Sequence, residues 1–500
     1  MKNKLKWISC ITFLVFLLFF PFTSGTAQPN HVQYYNQGAA YLNKGQHDQA
    51  LSYFNKAIEM KADYIDAYYY RGVTYSTKEK HEEAISDFTK AIELNPRHAK
   101  AYNHRGLSYY KKIMVVDKPV ADDIEEIFGE GDSFFWDIII KAGSAPRKAN
   151  EAIQDFSKAI EIDPRYAEAY YNRGRAYRYT IDVEIDSRDK AISDFTKAIE
   201  INPKYADAYY WRGVSYYDKK RFDQAILDFT KTVGIDPKHA KAYYDRGTIS
   251  YEKKQYEQAI LDFTQAININ PKNKDAYLHR GLAFAETMKY DLAISDLTMA
   301  LESMPKHAEA YYIRGFCCEK KGQFNLAMSD YNKAIEINPD YAGPYFGLGI
   351  ISYNKGEHDQ AISYFTKVIE LTPQYFDAYF YRGNEYLEKE DYDRAISDYT
   401  KALTINPKDD YSYKNRALAY SRKGQYILAI ADATKALEID PKFAGAYYTK
   451  AFALEKVNRI REAIEAYSKF IQYAQPEDKA KINYAKERIA ELDRKVRKTK

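Results

Sequence analysis

Cysteine is scarce in this chain. Its 500 residues include three cysteines, one in the N-terminal leader and two beyond it, the neighbours Cys317 and Cys318. Exported domains that depend on disulfides contain many more. Adjacent residues on a helix also point in different directions, so a bond between these two would need a distorted backbone. The sequence therefore excludes a disulfide framework and predicts that both residues are packed thiols.

Net charge is small as well. The 74 Lys and Arg residues nearly balance the 70 Asp and Glu residues, and the excess of +4 falls to +1 without Lys2, Lys4 and Lys6 of the leader. Nucleic-acid-binding domains and membrane-surface proteins usually carry a strongly basic face. We therefore expect no nucleic-acid partner and no electrostatic attachment to a membrane.

Catalytic signatures are also missing. The chain has no H-E-x-x-H motif, no P-loop, no G-x-S-x-G motif and no paired-cysteine spacing. Its nine histidines are scattered, and we expect His98, His239 and His307 to be solvated rather than metal-binding. We therefore predict that the protein is not an enzyme and has neither a cofactor nor a metal site. An enzyme would need a site of an unrecognised kind.

What the chain does contain is a short unit, clearest in residues 65–98, that recurs along most of its length. A Tyr, an Arg-Gly pair, an Ala, an Asp-Phe pair and an Asn-Pro stop return at fixed spacing. The step from one copy to the next is constant from Gly213 onward, and a period of about 34 residues indicates a repeat architecture. Aligned on the glycine, the copies fall at Gly38, Gly72, Gly106, Gly174, Gly213, Gly247, Gly281, Gly315, Gly349 and Gly383, with Ala417 and Ala451 in the same role.

Two short helices account for the spacing within one copy. With the glycine as position 8, positions 4, 8 and 11 share one helical face, and positions 20, 24 and 27 share another. Position 4 is Tyr and position 20 is Ala in all twelve copies. The small residues at 8 and 20 predict close approach of the two helices, beside an aromatic ring at 24. Asn or Asp at 31, usually followed by Pro, ends the second helix. Because helices this short are marginal alone, each copy must pack on the next.

This pattern resembles the tetratricopeptide repeat (TPR) family. The Tyr-x-x-x-Gly-x-x-Tyr, Ala, Phe, Ala, Pro skeleton carries the resemblance over residues 31–477, as twelve repeats with two insertions. The resemblance implies an all-α fold, an α-solenoid in which helix-turn-helix repeats form a right-handed superhelix and bind partners on the concave face. It says much less about function, because such repeats serve many unrelated processes.

The segments at the two ends have other patterns. Residues 1–27 combine a basic start, an apolar run over 7–22 and small residues up to Ala27, which is typical of a secretory signal peptide. We favour cleavage after Ala27. The alternative is an uncleaved membrane anchor, since the run is only slightly short of a membrane span. Either outcome places the repeats in the periplasm or at the cell surface. Residues 478–500 predict a capping helix that closes the core, followed by a basic tail.

Two insertions interrupt the repeats. Residues 113–148 lie within repeat three, begin acidic and carry an apolar run that includes Phe134 and Trp136. Long loops in regular arrays are usually functional or disordered, and the apolar run argues against full disorder. Two alternatives stay open: the run docks on its own solenoid, or it contacts a partner. The shorter insertion, near 180–188, predicts only a longer turn.

Positions 7 and 23 depart from the commoner pattern of the family. They are Arg and Asp in nine repeats, and the other three repeats lose both together: Gln37 with Tyr53, Leu348 with Tyr364, and Lys450 with Ala466. Joint loss predicts an ion pair between the two helices of one repeat. The alternative is a pair of solvated charges with little effect on stability. Representative pairs are Arg71 with Asp87, Arg246 with Asp262, and Arg314 with Asp330.

A groove is the candidate binding site. The family's concave face is lined by first-helix positions 2, 5, 6, 9, 12 and 13, and here position 5 is aromatic in nine repeats. Tyr and Trp provide large contact areas at low entropic cost and favour recognition surfaces. The alternative is that position 5 packs against the neighbouring helix. The predicted lining comprises Tyr35, Tyr69, Tyr70, Tyr171, Tyr210, Trp211, Tyr244, Tyr312, Phe346, Phe380, Tyr381 and Tyr448.

The family's best-known peptide site does not fit this sequence. That site is a cluster of Lys and Asn at positions 2, 5, 6 and 9 that grips a C-terminal carboxylate, and here only Lys100, Lys241, Lys414 and Asn384 occupy such positions, never together. The leading hypothesis is an exported, non-enzymatic scaffold that binds an extended peptide or a partner protein in its Tyr-rich groove. The alternative hypothesis is a glycan of the cell envelope stacked on the same rings.

Overall fold

The computed structural model describes residues 30–116, 145–178 and 187–498, without the side chains of 113–116, 145–148 and 498. The signal peptide predicted over 1–27, the apolar run of the first insertion and most of the second insertion lie outside the described residues. The expectations for these three segments therefore stay predictions.

Helices make up almost all of the described chain. Twenty-four of its 25 α-helices form twelve consecutive pairs, one pair for each predicted repeat, and the last follows the repeats. The all-α repeat fold predicted from the sequence is confirmed. In chain order the helices are α1 (His31–Asn43), α2 (His47–Met60), α3 (Ile65–Thr77), α4 (His81–Leu94), α5 (Ala99–Val116), α6 (Ala145–Ile162), α7 (Ala167–Tyr177), α8 (Ser187–Ile201), α9 (Ala206–Asp218), α10 (Phe222–Ile235), α11 (Ala240–Glu252), α12 (Tyr256–Ile269), α13 (Lys274–Glu286), α14 (Tyr290–Ser303), α15 (Ala308–Lys320), α16 (Phe324–Ile337), α17 (Ala342–Lys355), α18 (His358–Leu371), α19 (Phe376–Glu388), α20 (Tyr392–Ile405), α21 (Asp410–Arg422), α22 (Tyr426–Ile439), α23 (Ala444–Lys456), α24 (Ile460–Tyr473) and α25 (Lys479–Lys498).

The chain divides into two compact units, the first ending at Asp245 and the second beginning at Arg246, within α11. In the first unit α1 to α10 each pack on the next helix in sequence, within a pair and from one pair to the following pair. The helices from α13 to α25 follow the same rule in the second unit. Each unit therefore buries the apolar faces of its short helices by stacking, as the repeat pattern predicts.

Glycine at position 8 sets the distance between the helices of a pair. A Cβ added to Gly72 would lie 2.8 Å from Cε1 of Phe88, and one added to Gly349 would lie 2.6 Å from Cε1 of Phe365. These separations are too short for any side chain, so in these two repeats the ring at position 24 fits against a bare backbone. Repeat twelve differs, because it buries Tyr467 at position 24 together with Ala451 at position 8. In repeat eleven the sizes are reversed: position 8 carries the side chain of Ala417, and position 24 is the small Ala433. Both residues are fully buried.

The turn inside each repeat needs one residue in the left-handed region. Position 15 has φ between 55° and 80° in every repeat where the turn is described, and it is Gly in four of these ten. The other six carry non-glycine residues, such as Met288 with φ 58°, in a conformation that glycine adopts more readily. In repeats three and four, which carry the insertions, this turn lies outside the described residues.

The turn between repeats relies on the side chain at position 31 as well as on proline. Oδ1 of Asn95 accepts a hydrogen bond from the Arg97 amide at 3.0 Å, and Oδ1 of Asp440 accepts one from the Lys442 amide at 2.9 Å. Asn and Asp are favoured here because their short side chains mimic a backbone turn in this way.

Helix α25 closes the second unit. Its Ala485 and Leu492 are fully buried in a cluster with Tyr467 and Phe470 of α24. Ala485 follows Ala451 by one full repeat period, so α25 occupies the place of a thirteenth first helix that has no second helix. Within the described part of the chain, no helix combines the length and apolar character that crossing a bilayer requires.

Candidate functional site

The first-helix face, defined here as positions 5, 6, 9 and 12 of the first helices, carries all twelve predicted groove residues. Three of them, Tyr69, Tyr171 and Tyr210, are only 6, 8 and 8% exposed. The other nine are half-buried and could each present part of a ring: Tyr35, Tyr70, Trp211, Tyr244, Tyr312, Phe346, Phe380, Tyr381 and Tyr448.

The three buried rings at position 5 each pack against two other rings of their own repeat. The Tyr210 ring lies 5.8 Å from the Phe229 ring at position 24 and 4.5 Å from the His239 ring at position 34, between centroids. Aromatic pairs at these separations stabilise a core beyond the area they bury. The three buried tyrosines therefore pack against their neighbours, as the alternative interpretation holds. Little of each ring is left for a partner.

In the first unit the most prominent feature of this face is the indole of Trp211. The guanidinium carbons of Arg175 and Arg178, from the preceding repeat, lie 5.2 and 5.3 Å from its centroid. Both distances allow cation–π attraction. Arg178 is itself held by Asp218, whose Oδ2 lies 2.8 Å from Nη1. Trp211 is thus a half-buried ring fixed in place by two cations.

Beside it lies a carboxyl group with an unusual environment. Asp245, at position 6, is hydrogen-bonded to the hydroxyl of Tyr210. Burial raises the pKa of the Asp245 carboxyl to about 6, against the hydrogen bond from Tyr210 and the nearby charge of Lys241, which act to lower it. This carboxyl therefore titrates close to neutrality.

In the second unit Tyr381 is the centre of an aromatic cluster. Its centroid lies 6.0, 5.2 and 5.7 Å from the rings of Phe346, Tyr353 and Phe365, all from the preceding repeat. Phe365 is fully buried, whereas the other three rings are half-buried. The cluster therefore extends from the core of the solenoid to its surface, so the surface rings have fixed positions before any partner arrives.

Next to this cluster a chain of hydrogen bonds crosses from repeat ten to repeat eleven. Oδ1 of Asn384 accepts from the Tyr399 hydroxyl at 2.7 Å and from Nδ2 of Asn415 at 2.8 Å. Oδ1 of Asn415 accepts in turn from Nζ of Lys414 at 2.9 Å. Asn384 and Lys414, which the sequence places in different repeats, are therefore brought together through a residue that the sequence analysis did not single out.

The Arg and Asp side chains at positions 7 and 23 meet in every repeat that has them. Nε and Nη2 of Arg71 donate to Oδ2 and Oδ1 of Asp87 at 2.7 and 2.6 Å, and Arg246 with Asp262 and Arg314 with Asp330 share this two-bond geometry. The Asp side chains of these pairs are 3 to 8% exposed, so they are not solvated charges.

These arginines make two further contacts that were not predicted from the sequence. Nη1 of Arg314 donates to Oγ1 of Thr298, at position 25 of the preceding repeat, at 3.0 Å. The guanidinium carbon of Arg314 also lies 5.5 Å from the centroid of Tyr311 at position 4. Both contacts recur along the chain, as in Arg212 with Thr196 and Tyr209. The arginine therefore links repeats as well as helices.

The turn histidines were expected to be solvated, and that expectation is wrong. Nδ1 of His98, His239 and His307 accepts a hydrogen bond from the backbone amide three residues later, at 3.1 Å in each case. They are half-buried caps at the start of the next repeat. Within the described ranges no three His, Cys, Asp or Glu side chains are grouped so that they could hold a metal ion.

Cys317 and Cys318 are buried and form no disulfide. Burial raises the pKa of the Cys317 thiol to about 12, so it is poorly nucleophilic at neutral pH. Both thiols contribute to packing, as the sequence predicts.

Stacked helix pairs with buried small residues at positions 8 and 20 define the chain as a helical-repeat solenoid. Sequence comparison agrees, because tetratricopeptide repeat models match successive copies along the chain. The chain belongs to the tetratricopeptide repeat family, which is a class of protein–protein interaction scaffold. The matched residues are 32–64, 65–98, 206–239, 308–341, 376–409 and 411–443, further copies at 342–375 and 444–476, and TPR repeat segments at 148–178, 187–220 and 247–287.

Solved structures include similar TPR proteins. YrrB, described as a TPR protein with an unusual peptide-binding site, is 26% identical over 38% of this chain and 95% of its own, with a TM-score of 0.35. The Cut9–Hcn1 hetero-tetramer of the APC/C is 16% identical over 85% and 96%, with a TM-score of 0.41. Yeast Tom70 is 19% identical over 93% and 99%, with a TM-score of 0.32. No curated protein matches the chain.

Proposed function

We propose that this protein is an exported, non-enzymatic scaffold that binds an extended peptide, or an extended segment of a partner protein, along its first-helix face. One observation carries the proposal: half-buried rings held in fixed positions on successive first helices, such as Trp211 in the first unit and Tyr381 in the second. Pre-positioned Tyr and Trp side chains lose little entropy on binding and are enriched among the residues that dominate interface energies.

The aromatic character of the face predicts how binding responds to salt. Contacts made by burying rings are screened much less than contacts between exposed charges. We therefore expect binding of the partner to change little between low and high ionic strength.

Affinity capture from an envelope fraction would identify the partner, with the whole protein and a variant that lacks residues 113–148 each used as bait. Trp211→Ala and Tyr381→Ala should then each weaken binding about tenfold or more, a loss of at least about 1.4 kcal/mol. Phe324→Ala is the matched control, because Phe324 is a 41% exposed ring at the start of a second helix. Circular dichroism would establish that all three variants are folded.

Competition experiments would separate the peptide from the glycan alternative. Synthetic peptides taken from the captured partner should displace it, and cell-wall fragments should not. If only the cell-wall fragments displaced the partner, the ligand would be an envelope glycan and not a peptide. Unchanged affinity in both Trp211→Ala and Tyr381→Ala would refute the binding face itself.

Export rests on the leader, residues 1–27. Cleavage after Ala27 predicts a mature chain that begins at Gln28, which N-terminal sequencing of the protein from its native cell would reveal. A chain that keeps Met1 and stays in the membrane fraction would support the anchor instead.

A further inference from the structure

Lys414 breaks the repeat pattern in an informative way. It occupies position 5 of repeat eleven, where nine repeats have an aromatic ring, and it is half-buried. Two neighbours make room for it. The facing residue at position 24 is the small Ala433, and a Cβ added to Gly445, at position 2 of the next repeat, would lie 3.1 Å from Cε of Lys414. The chain thus accommodates a long cationic side chain where it usually packs a ring.

The surroundings of this ammonium group supply no negative charge. Its hydrogen bond goes to the neutral amide of Asn415, which is linked in turn to the neutral Asn384 and Tyr399. Among the described residues Lys414 forms no ion pair, although an ammonium group has three donors to satisfy. The hydrogen bonds thus position the ammonium group of Lys414 without neutralising its charge.

The charge that acts on it from the capping helix is also positive. Lys481 of α25 lies close enough to act on Lys414, and it is 60% exposed and paired with Asp478 at 3.0 Å. Burial, together with the charge of Lys481, lowers the pKa of Lys414. A partly buried cation beside a second cation is unfavourable in the free protein, and an anionic ligand would relieve that cost.

We propose that Lys414 anchors a carboxylate-binding subsite, with Lys481 at its rim, for an acidic side chain of the bound peptide. This inference rests on the proposed function, and it names a chemical requirement of the partner. Rings of the first-helix face lie on both sides of Lys414, with Tyr381 in the preceding repeat and Tyr448 in the next. A peptide in contact with both rings continues past the lysine, so the ligand is a side-chain carboxylate within the peptide rather than the end of a chain.

The subsite differs from the Lys and Asn cluster known in the family. Position 5 of repeat ten is Phe380 and position 2 of repeat twelve is Gly445, so neighbouring repeats supply no lysine at those positions. The second cation comes from α25, outside the repeats.

Calorimetric binding of hexaglutamate, acetylated and amidated so that it has no terminal charges, tests the proposal on the mature chain. We expect measurable binding at low salt, weakened about thirtyfold or more by Lys414→Met. Lys435→Met is the matched control, because Lys435 is an exposed lysine on the second helix of the same repeat, and it should change affinity less than about twofold. Lys414→Met should also melt no lower than the native chain, because it removes an uncompensated charge.

A second measurement follows the ammonium group directly. The pKa of Lys414, read from the ¹³Cε resonance, should rise when hexaglutamate binds, since the carboxylate stabilises the charged form. Equal affinity in Lys414→Met, no binding of hexaglutamate, or binding only to a peptide with a free C-terminal carboxylate would each overturn the subsite. None of these results would change the effect of Trp211→Ala or Tyr381→Ala on binding of the captured partner. The two proposals can therefore fail independently.

Discussion

Repeats eight and nine solve one packing problem in two ways. In repeat eight, Arg314 donates two hydrogen bonds to Asp330 and a third to Thr298 of the preceding repeat. In repeat nine the corresponding residues are Leu348 and Tyr364. Leu348 is 1% exposed and packs in an apolar cluster that Tyr364 also contacts. Neighbouring copies of one fold thus join their helices with an ion pair in one case and with apolar contacts in the other.

The difference shows which property of the pair the fold requires. Since repeat nine retains the same two helices without any charge, the ion pair is one of two adequate fillings of the space and not a condition of the fold. Replacing a buried ion pair by well-packed apolar groups is often neutral, whereas removing one partner leaves an uncompensated buried charge. Joint loss of both residues within a repeat is the pattern expected from this asymmetry.

The largest expected effect comes from removing one partner of an Arg–Asp ion pair. Arg314→Leu should lower the free energy of unfolding by about 3 kcal/mol, because Asp330 stays buried without its guanidinium. Adding Asp330→Tyr imitates repeat nine and should recover most of the loss. Denaturant melts of the whole chain measure both changes.

The reciprocal graft serves as the control. Leu348→Arg combined with Tyr364→Asp should cost much less than Leu348→Arg alone. Equal losses in the single and double variants of repeat eight would mean that the two side chains do not act as a pair.

Asp245 sharpens the comparison, because it is a half-buried residue whose carboxyl is hydrogen-bonded to a phenol instead of a guanidinium. Its pKa, raised by burial from 3.8 to about 6, means that the folded state binds the proton more tightly than the unfolded state. Its contribution to stability is therefore complete below pH 3.8 and is lost as pH rises through about 6, which amounts to about 2–3 kcal/mol.

Asp245→Asn should remove this pH dependence and stabilise the protein at pH 7 while changing little at pH 4. Asp228→Asn is the matched control, since Asp228 is a buried carboxyl that pairs with Arg212. This control should destabilise the protein at pH 7, the opposite sign. Thermal melts from pH 4 to 8 give both results, and an unchanged pH profile in Asp245→Asn would show that Asp245 is ionised throughout.

The fold could be predicted from the sequence because each structural requirement returns at the same position of every repeat. Glycine at 8 and alanine at 20 mark the close contact of two helices, and the ring at 24 fills the space beside it. Joint loss of positions 7 and 23 was enough to predict which side chains share a repeat.

Other features could not be predicted, because their two partners lie in different repeats. The bond from Arg314 to Thr298 and the chain that joins Asn384 to Lys414 both cross a boundary that comparison within one repeat does not reach. The residue type at position 25 gave no signal, because Asn332 precedes Leu348 but Asn55, at the same position, accepts a hydrogen bond from Nη1 of Arg71 at 2.7 Å. Rings at position 34 pack on Tyr69, Tyr171 and Tyr210, and two of these rings, His98 and His239, were expected to be solvated.

A smaller effect is expected from the bond between repeats alone. Thr298→Val removes the hydroxyl that accepts from Arg314 but leaves the pair with Asp330 intact, so it should cost about 1 kcal/mol. The matched control is Asn332→Ala, because Asn332 is exposed and precedes Leu348 in the repeat without an arginine. It should have no measurable effect. An equal loss in both variants would show that position 25 stabilises its own helix rather than the contact between repeats.

The smallest effect is expected from a second series of ion pairs between repeats, which lies at the surface. Lys321 pairs with Asp291, Lys389 with Asp359 and Lys423 with Asp393, each time with the aspartate in the preceding repeat. The aspartates are 76, 87 and 77% exposed, and exposed pairs contribute little because water and salt screen them. Lys321→Met should therefore change the melting temperature less than Thr298→Val does at low salt, and not at all at high salt. A loss as large as that of Arg314→Leu would show that charge between repeats, and not burial, decides how strongly neighbouring copies hold together.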